Sequence, residues 1–304
     1  MIKKPGVLII IVNYNHGDCL RELIKSVLNT DYPNFTVVLI DNASHDKSRT
    51  IIESFNDNRL KKILLSENIG LCASRNLGAN NAEDSYFAFL DADVKVTPSW
   101  LNSLVKVMES NTTVGIGEST IKSKVSYGRS SEEIVKLFAL GASFIVRNDV
   151  WQELGGFDPA YFFGYDDADL GWRSWMLGYS VIRVPDSIVY HAAGLIRKGP
   201  RVRVLHYHDF KNRLSSLMTN LEAASLFKEM PRIIVTVVRD FLRDFREGQI
   251  TSLISTFWVL RNLPILFSKR KLLQSGRRLR DSEIASLWDP FVRGSLHENR
   301  LSIW

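Results

Sequence analysis

Residues 7–15, Val7-Leu8-Ile9-Ile10-Ile11-Val12-Asn13-Tyr14-Asn15, join an unbroken apolar run to a polar turn. A short continuous run of β-branched and aliphatic side chains reads as a strand buried on both faces. Lys3 and Lys4 precede it as in a signal peptide. The run is only six residues long, however, and no small-residue cleavage site follows it. Working outward, Asp18 stands as an N-cap before Leu20, Leu23, Ile24, Val27 and Leu28, which recur at helical spacing. Tyr32-Pro33-Asn34 marks a turn, Thr36–Ile40 a second strand, Ser48–Phe55 a short helix and Lys62–Leu65 a third strand. Arg75–Ala82 reads as helix, and Tyr86–Leu90 and Ser187–Tyr190 as further strands. This alternation predicts an α/β fold with a Rossmann-like, doubly wound, mostly parallel sheet. In such sheets ligands bind beyond the carboxyl ends of the strands.

The 304 residues, 45% hydrophobic and 24% charged, exclude a disordered, collagen-like or coiled-coil chain. Cys19 and Cys72 are too few for a disulfide framework and form no zinc-binding pattern, which points to a reducing compartment. The net charge of +6 is unevenly placed: residues 1–194 hold 19 Lys and Arg against 23 Asp and Glu, residues 195–304 hold 20 against 10. Beyond Gly199-Pro200 the pattern turns helical. Ile233, Ile234, Val237, Val238, Phe241, Leu242 and Phe245 form an apolar stripe opposite Arg239, Asp240, Arg243, Asp244 and Arg246. Ile250, Leu253, Ile254, Phe257 and Trp258 repeat the design, and Lys269–Lys271 and Arg277–Arg280 are basic clusters. A boundary near residue 205 divides an α/β domain, 1–205, from a basic amphipathic helical region, 206–304. The longest apolar candidate, Ile250–Phe267, is interrupted by Arg261 and Pro264, so a simple spanning helix is not expected.

The polar clusters fall at predicted strand ends. Asn13, Tyr14 and Asn15 follow the first strand, and Asp41 and Asn42 the second; together they favour a nucleotide pocket over simple turn formation. Leu90-Asp91-Ala92-Asp93 places two carboxylates where a chain turn lets both converge, one on a ribose and one on a divalent metal. Hard oxygen ligands suit Mn2+ or Mg2+. Gly70, Gly78 and Arg75 lie between strand and helix, where glycine admits close approach of a ligand and Arg75 can pair with a diphosphate. No GxGxxG or Walker loop occurs, which disfavours NAD binding and ATP hydrolysis. Asp166, Asp167 and Asp169 crowd a predicted helix start, as dipole partners or as a general base held by its neighbours. His191 follows the Ser187–Tyr190 strand and becomes a plausible metal ligand beside a bound diphosphate.

In this order and spacing the chain resembles the family 2 glycosyltransferases of the GT-A fold, in particular their rhamnosyltransferase-like branch. The matching segments are Val12–Asn15; Asp41-Asn42-Ala43-Ser44 with Asp46 and Ser48; Asn68-Ile69-Gly70 through Asn76-Leu77-Gly78; Asp91-Ala92-Asp93; Gly155-Gly156-Phe157-Asp158; and Asp166–Leu170 with Trp172-Arg173. The resemblance covers roughly residues 5–195. It implies a nucleotide-diphosphate sugar donor, a divalent cation, and inverting single-displacement transfer to a hydroxyl of a glycan or lipid-linked acceptor. By position it implies Asp41 on the nucleobase, Asp91 on ribose or metal, and Asp93 and His191 as metal ligands. Asp167 takes the position of the base. Asp166 stands where the family usually has Glu, which leaves open which of the two reaches the acceptor. The QxxRW signature of processive relatives is absent, so non-processive addition of one sugar is expected.

Lipid-linked acceptors are common in that family, and the basic tail fits an anionic membrane surface through Phe257, Trp258, Arg261, Lys269, Arg270 and Lys271. The expected setting is cell-envelope polysaccharide synthesis, peripheral on the cytoplasmic face of the membrane. The competing reading of the tail is a set of helices packed on their own domain. Nucleic-acid binding explains the charge less well, because no recognisable module is present. Two alternatives of other classes are a sugar-phosphate nucleotidyltransferase and a degenerate sugar-nucleotide-binding protein. The first requires a Gly-rich, Arg-containing loop where Asn13-Tyr14-Asn15-His16 stands, and the second is disfavoured by intact Asp91, Asp93, Asp167 and His191.

Overall fold

Val7–Asn13 forms strand β1, and every residue of it is buried, as an apolar run with polar residues only at its end requires. The computed structural model describes residues 4–122, 134–192, 200–285 and 287. From β1 the chain runs through α1 (Gly17–Leu28), β2 (Phe35–Asp41), α2 (Ser48–Glu53), β3 (Leu60–Leu64), α3 (Leu71–Ala79) and β4 (Tyr86–Asp91). It continues through β5 (Val94–Val96), α4 (Trp100–Ser110), β6 (Val114–Lys122), β7 (Ile134–Lys136), β8 (Ser143–Arg147), α5 (Asn148–Leu154), α6 (Asp166–Met176) and β9 (Ser180–His191). The helices α7 (Pro200–Asn220), α8 (Ala223–Arg246), α9 (Thr251–Arg261) and α10 (Leu263–Ser275) follow.

The strands form one sheet in the order β3-β2-β1-β4-β8-β6-β9-β5, with β7 also paired to β9. The first four are mutually parallel. Beyond them the sheet is mixed: β8 runs antiparallel to β4 and β6, β9 lies parallel to β6, and β5 and β7 run antiparallel to β9. The predicted parallel character therefore belongs to the N-terminal half, where βαβ crossovers make it obligatory. Because β1 lies between β2 and β4, the strand order reverses there, the switch point at which open α/β sheets place their ligands.

The core on one face of the sheet gathers Ile9, Ile11, Leu20, Leu23, Leu39, Trp100 and Leu104, all fully buried. Each such side chain contributes about 1.5–3 kcal/mol relative to exposure. Phe89 stacks on Phe144 and packs edge-on against Phe157, with ring centroids at 5.1 and 5.4 Å.

Several local expectations are corrected. Helix α1 begins at Gly17, and its first N–H donates to Asp46 Oδ2 at 2.8 Å. Asp18, the expected cap, instead pairs with Lys47 at the surface. Helix α3 starts at Leu71, ahead of Arg75, because the Leu71 N–H donates to the Phe162 carbonyl. Gly70 allows that turn: its φ is +87°, and a Cβ there would lie 2.8 Å from the Phe162 carbonyl oxygen. Gly78 likewise admits protein rather than ligand, since a Cβ would meet Ile10 at 2.7 Å.

The chain divides into two compact units, Met1–Phe162 with Tyr179–Ala193, and Phe163–Gly178 with Gly194–Trp304. The position near 205 at which composition turns basic lies inside α7, because a helix continues across a change of surface charge. In the second unit Asp169 of α6 is bound by Arg173 at 2.7 Å, Ser216 at 2.6 Å and Asn220 at 3.0 Å. Arg270, Gln274 and Arg277 donate to the last carbonyls of α7, satisfying the groups a helix end leaves open. That use accounts for Arg270, one of the cations expected at a membrane. Trp258, expected on an apolar outer face, packs under the ammonium of Lys211 at 4.4 Å.

Helix α8 is turned opposite to what its pattern suggests. Asp240 and Asp244 are buried, whereas Ile234, Val238, Leu242 and Phe245 are 49–71% exposed. Buried Arg213 of α7 lies within the field of Asp240, and Asp244 accepts the Ser252 N–H at 2.7 Å. Buried charge demands partners, so Asp240 and Asp244 were drawn inward and Ile234, Val238, Leu242 and Phe245 left outward.

Candidate functional site

The carboxyl ends of the parallel strands carry the predicted polar residues, and the register places them side by side: Asn13 pairs with Asp41, and Val12 with Asp91. Asn13 donates to Asp41 Oδ1 at 2.9 Å and to Ser44 Oγ at 3.0 Å. Asp41 also accepts from the Ser44 N–H at 3.1 Å and from Arg49 Nε at 2.9 Å. Asn42 donates to Asn68 Oδ1 at 2.8 Å and accepts the Ile69 N–H at 3.0 Å. Asn13, Asp41 and Asn42 are thus buried, and the Asn42 N–H donates to the Asn13 carbonyl at 2.8 Å, so the three form a polar floor at the strand ends. Both Asp41 oxygens are engaged within the protein, and half-exposed Arg49 covers them. Tyr14 and Asn15 stand further out; Asn15 has φ 60° and accepts the His45 N–H.

Asp91 closes β4, Ala92 is buried in the turn, and Asp93 precedes β5. Pairing of β5 with β9 sets Val94 opposite His191, and the Ala192 N–H donates to the Asp93 carbonyl at 3.0 Å. Two segments 98 residues apart are thereby fixed so that His191 Nε2 lies 3.0 Å from Asp93 Oδ1. Asp91, Asp93 and His191 each offer one ligand atom, all within 4.8 Å of one another. Two hard carboxylate oxygens and one imidazole nitrogen fit a divalent cation such as Mn2+ or Mg2+. Burial raises the Asp93 carboxyl, but hydrogen bonding and charge from His191, with the nearby His16, bring it below its ordinary value. Burial lowers His191, yet its bond to Asp93 and the charge of Asp91 leave it above the ordinary value.

Arg75 corrects an expectation. Its guanidinium is buried and donates to Asp91 Oδ1 at 2.8 Å and to the Gly141 carbonyl at 2.9 Å, so it holds Asp91 in place from inside the fold. The rings of Phe89, Phe144 and Phe157 surround it at 5.3–5.9 Å. The segment Arg75–Ala82, which reads as helix, gave no sign of this cage, whose rings lie at positions 89, 144 and 157. Replacing Arg75 by Met is expected to destabilise the fold by about 2–3 kcal/mol, less than a fully buried pair because Asp91 remains partly solvated. Chemical denaturation of the two proteins checks this, and an unchanged midpoint excludes the positioning role.

The carboxylates at the start of α6 separate by environment. Asp169 is consumed by the bonds described above, Asp166 is buried, and Asp167 retains partial exposure at the helix N-terminus. Sequence reasoning missed His16, beside Asp93 in charge, and a buried group around Glu118. Glu118 accepts from Arg183 at 3.3 Å and from the Leu140 N–H at 3.2 Å; its carboxyl is pushed up by burial. His16 was detectable as the continuation of the Asn13–Asn15 turn. Glu118 carried no local signal.

The fold and this donor cluster define an α/β protein with a candidate divalent-metal centre at its strand ends. The family model for Glycosyl transferase family 2 matches residues 8–170, more than half of the chain, and the chain belongs to that family. Its mixed sheet and C-terminal helices are those of GT-A glycosyltransferases. TuaG of Bacillus subtilis, which carries a teichuronic acid biosynthesis name, is 34% identical over 94 residues, 30% of this chain and 37% of that protein. The chain thus matches only about a third of that relative's length. A mannosyltransferase of Pyrobaculum calidifontis, solved with GDP-Man and Mn2+, is similar with a TM-score of 0.60 at 18% identity, over 95% of this chain and 88% of that one. TarS 1–349 of S. aureus, solved with UDP, has a TM-score of 0.59 at 15% identity, over 96% and 93%.

Proposed function

We propose that the protein transfers one sugar, rhamnosyl or another hexosyl group, from a nucleotide-diphosphate sugar to a hydroxyl of a glycan or lipid-linked acceptor, with inversion. The observation that carries this reading is the Asp91, Asp93 and His191 cluster at the carboxyl end of the parallel strands in a family 2 chain. Asp91, Asp93 and His191 would hold a divalent cation, whose charge offsets that of the departing diphosphate. Tyr14, Asn15 and the floor of Asn13, Asp41 and Asn42 border the nucleotide; contact of Asp41 with the base requires Arg49 to move aside. Asp167 takes the acceptor hydroxyl proton as its oxygen bonds to the anomeric carbon, and the electron pair of the broken bond leaves on the diphosphate. Asp166 is the second candidate for that proton.

TuaG's name supports a setting in envelope polysaccharide synthesis, which we place on the cytoplasmic face of the membrane. Among the described residues no helix is long and apolar enough to cross a membrane; the attachment proposed here is peripheral. The domain assignment we propose is a sugar-transfer domain within 1–205 and a helical region, 206–304, that serves attachment.

A thermal-shift screen with UDP-, GDP- and dTDP-sugars, each with Mn2+, Mg2+ or chelator, tests the donor site. One nucleotide class is expected to stabilise the protein only with metal, by about 2.7 kcal/mol at a hundredfold excess over Kd. Stabilisation by none of them overturns the reading.

A further inference from the structure

We infer that α8 and α9 seat this chain on an anionic lipid bilayer through an apolar face that the fold has turned outward. The inference extends the peripheral location proposed above, and it stands on the helical unit alone, apart from the transfer reaction.

Ile234, Val238, Leu242 and Phe245 recur at helical spacing on α8, and each is about half exposed or more. The stripe from Ile234 to Phe245 is about 16 Å long at the α-helical rise per residue. On α9, Leu253 and Phe257 are 51% and 63% exposed. Scattered apolar residues on a surface need no explanation, but a continuous stripe on a helix whose acidic side chains, Asp240 and Asp244, are buried does. The helix has inverted the usual arrangement, and water is a poor solvent for the result.

Charge decides what covers it. Residues 223–275 hold nine Lys and Arg against four Asp and Glu. Three of those four acids, Glu229, Asp240 and Asp244, are buried, which leaves Glu247 as the exposed acid of the segment. Arg239 and Arg246 flank the stripe and are exposed, as are Arg261 and Lys271. A second copy of the chain would oppose one basic rim to another, at a cost in repulsion. An anionic bilayer accepts both parts: acyl chains meet the stripe, and headgroup phosphates meet the arginines. Phe and Leu entering to the headgroup boundary, with arginines reaching back to phosphate, is the arrangement of an interfacial helix.

The test is sedimentation of the full chain with vesicles of phosphatidylcholine alone or with 30% phosphatidylglycerol, at low and high salt. Binding is expected to the anionic vesicles and to weaken with salt. Replacing Leu242 and Phe245 together by Asn should lower partitioning at least tenfold, given the apolar surface removed. Replacing Arg246 and Arg261, both exposed, by Gln should lower it about thirtyfold at low salt. These side chains point outward, so both variants should keep the wild-type melting temperature and the nucleotide-dependent shift. That retained shift separates this inference from the donor site, since either can fail alone. A wild-type chain that ignores anionic vesicles overturns it, as does a dimer that the Asn variant dissociates while vesicle binding is absent.

Discussion

Asp167→Asn should abolish sugar transfer while leaving donor binding and folding intact. A carboxamide is nearly isosteric with the carboxylate but cannot take up the acceptor proton, and loss of a general base costs about 10²–10⁴ in rate. The three carboxylates at the start of α6 make the comparison sharp. Asp169 holds Arg173, Ser216 and Asn220, so Asp169→Asn should lower stability by leaving Arg173 without its charge partner. Asp166 is buried, and Asp167 is the one left partly exposed. Single-turnover rates with saturating donor, beside nucleotide titrations, separate the roles. Normal turnover in Asp167→Asn removes it as the base, and a loss confined to Asp166→Asn moves the assignment there.

Asp93→Ala should make the protein respond to a nucleotide sugar with metal as the wild type responds with chelator. Donor affinity measured by calorimetry in Mn2+ is expected to fall by about 10²–10³, the range of a lost electrostatic clamp on a diphosphate. The substitution removes an oxygen from the donor cluster and the hydrogen bond to His191. It spares the backbone bond from Ala192 to the Asp93 carbonyl, so the β5–β9 pairing that builds the centre survives. His191→Ala should act in the same direction with a smaller loss, since two carboxylates remain. Metal-dependent affinity unchanged in Asp93→Ala would falsify the assignment of this cluster as the metal centre.

Much of this site was legible before folding, for a local reason. Apolar runs that stop at Asn13, Asp41 and Asp91 announce both the strands and their ends, and parallel strands joined by helices bring like ends together. The reading failed where a side chain's partner lay far away. Arg75 has the spacing of a ligand contact, yet the rings of Phe89, Phe144 and Phe157 and the carboxylate of Asp91 hold it inside. Glu118 and Arg183 lie on strands whose pairing no local pattern specifies. Glycines read as room for a ligand proved to be room for Phe162 and Ile10.

The amino-acid sequence by itself determined the alternation of strands and helices, the parallel half of the sheet and the identity of the residues at its rim. These follow from periodicity and turn chemistry within short windows. Tertiary structure alone decided that His191 stands beside Asp93, because that neighbourhood depends on the β5–β9 register. It also decided which way α8 faces. A helical wheel shows two stripes but not which one is inside, and here burial of Asp240 and Asp244 among polar partners outweighed burial of Leu242 and Phe245. Rotation of a helix and register of a strand are set by long-range packing, and no short window of sequence contains them.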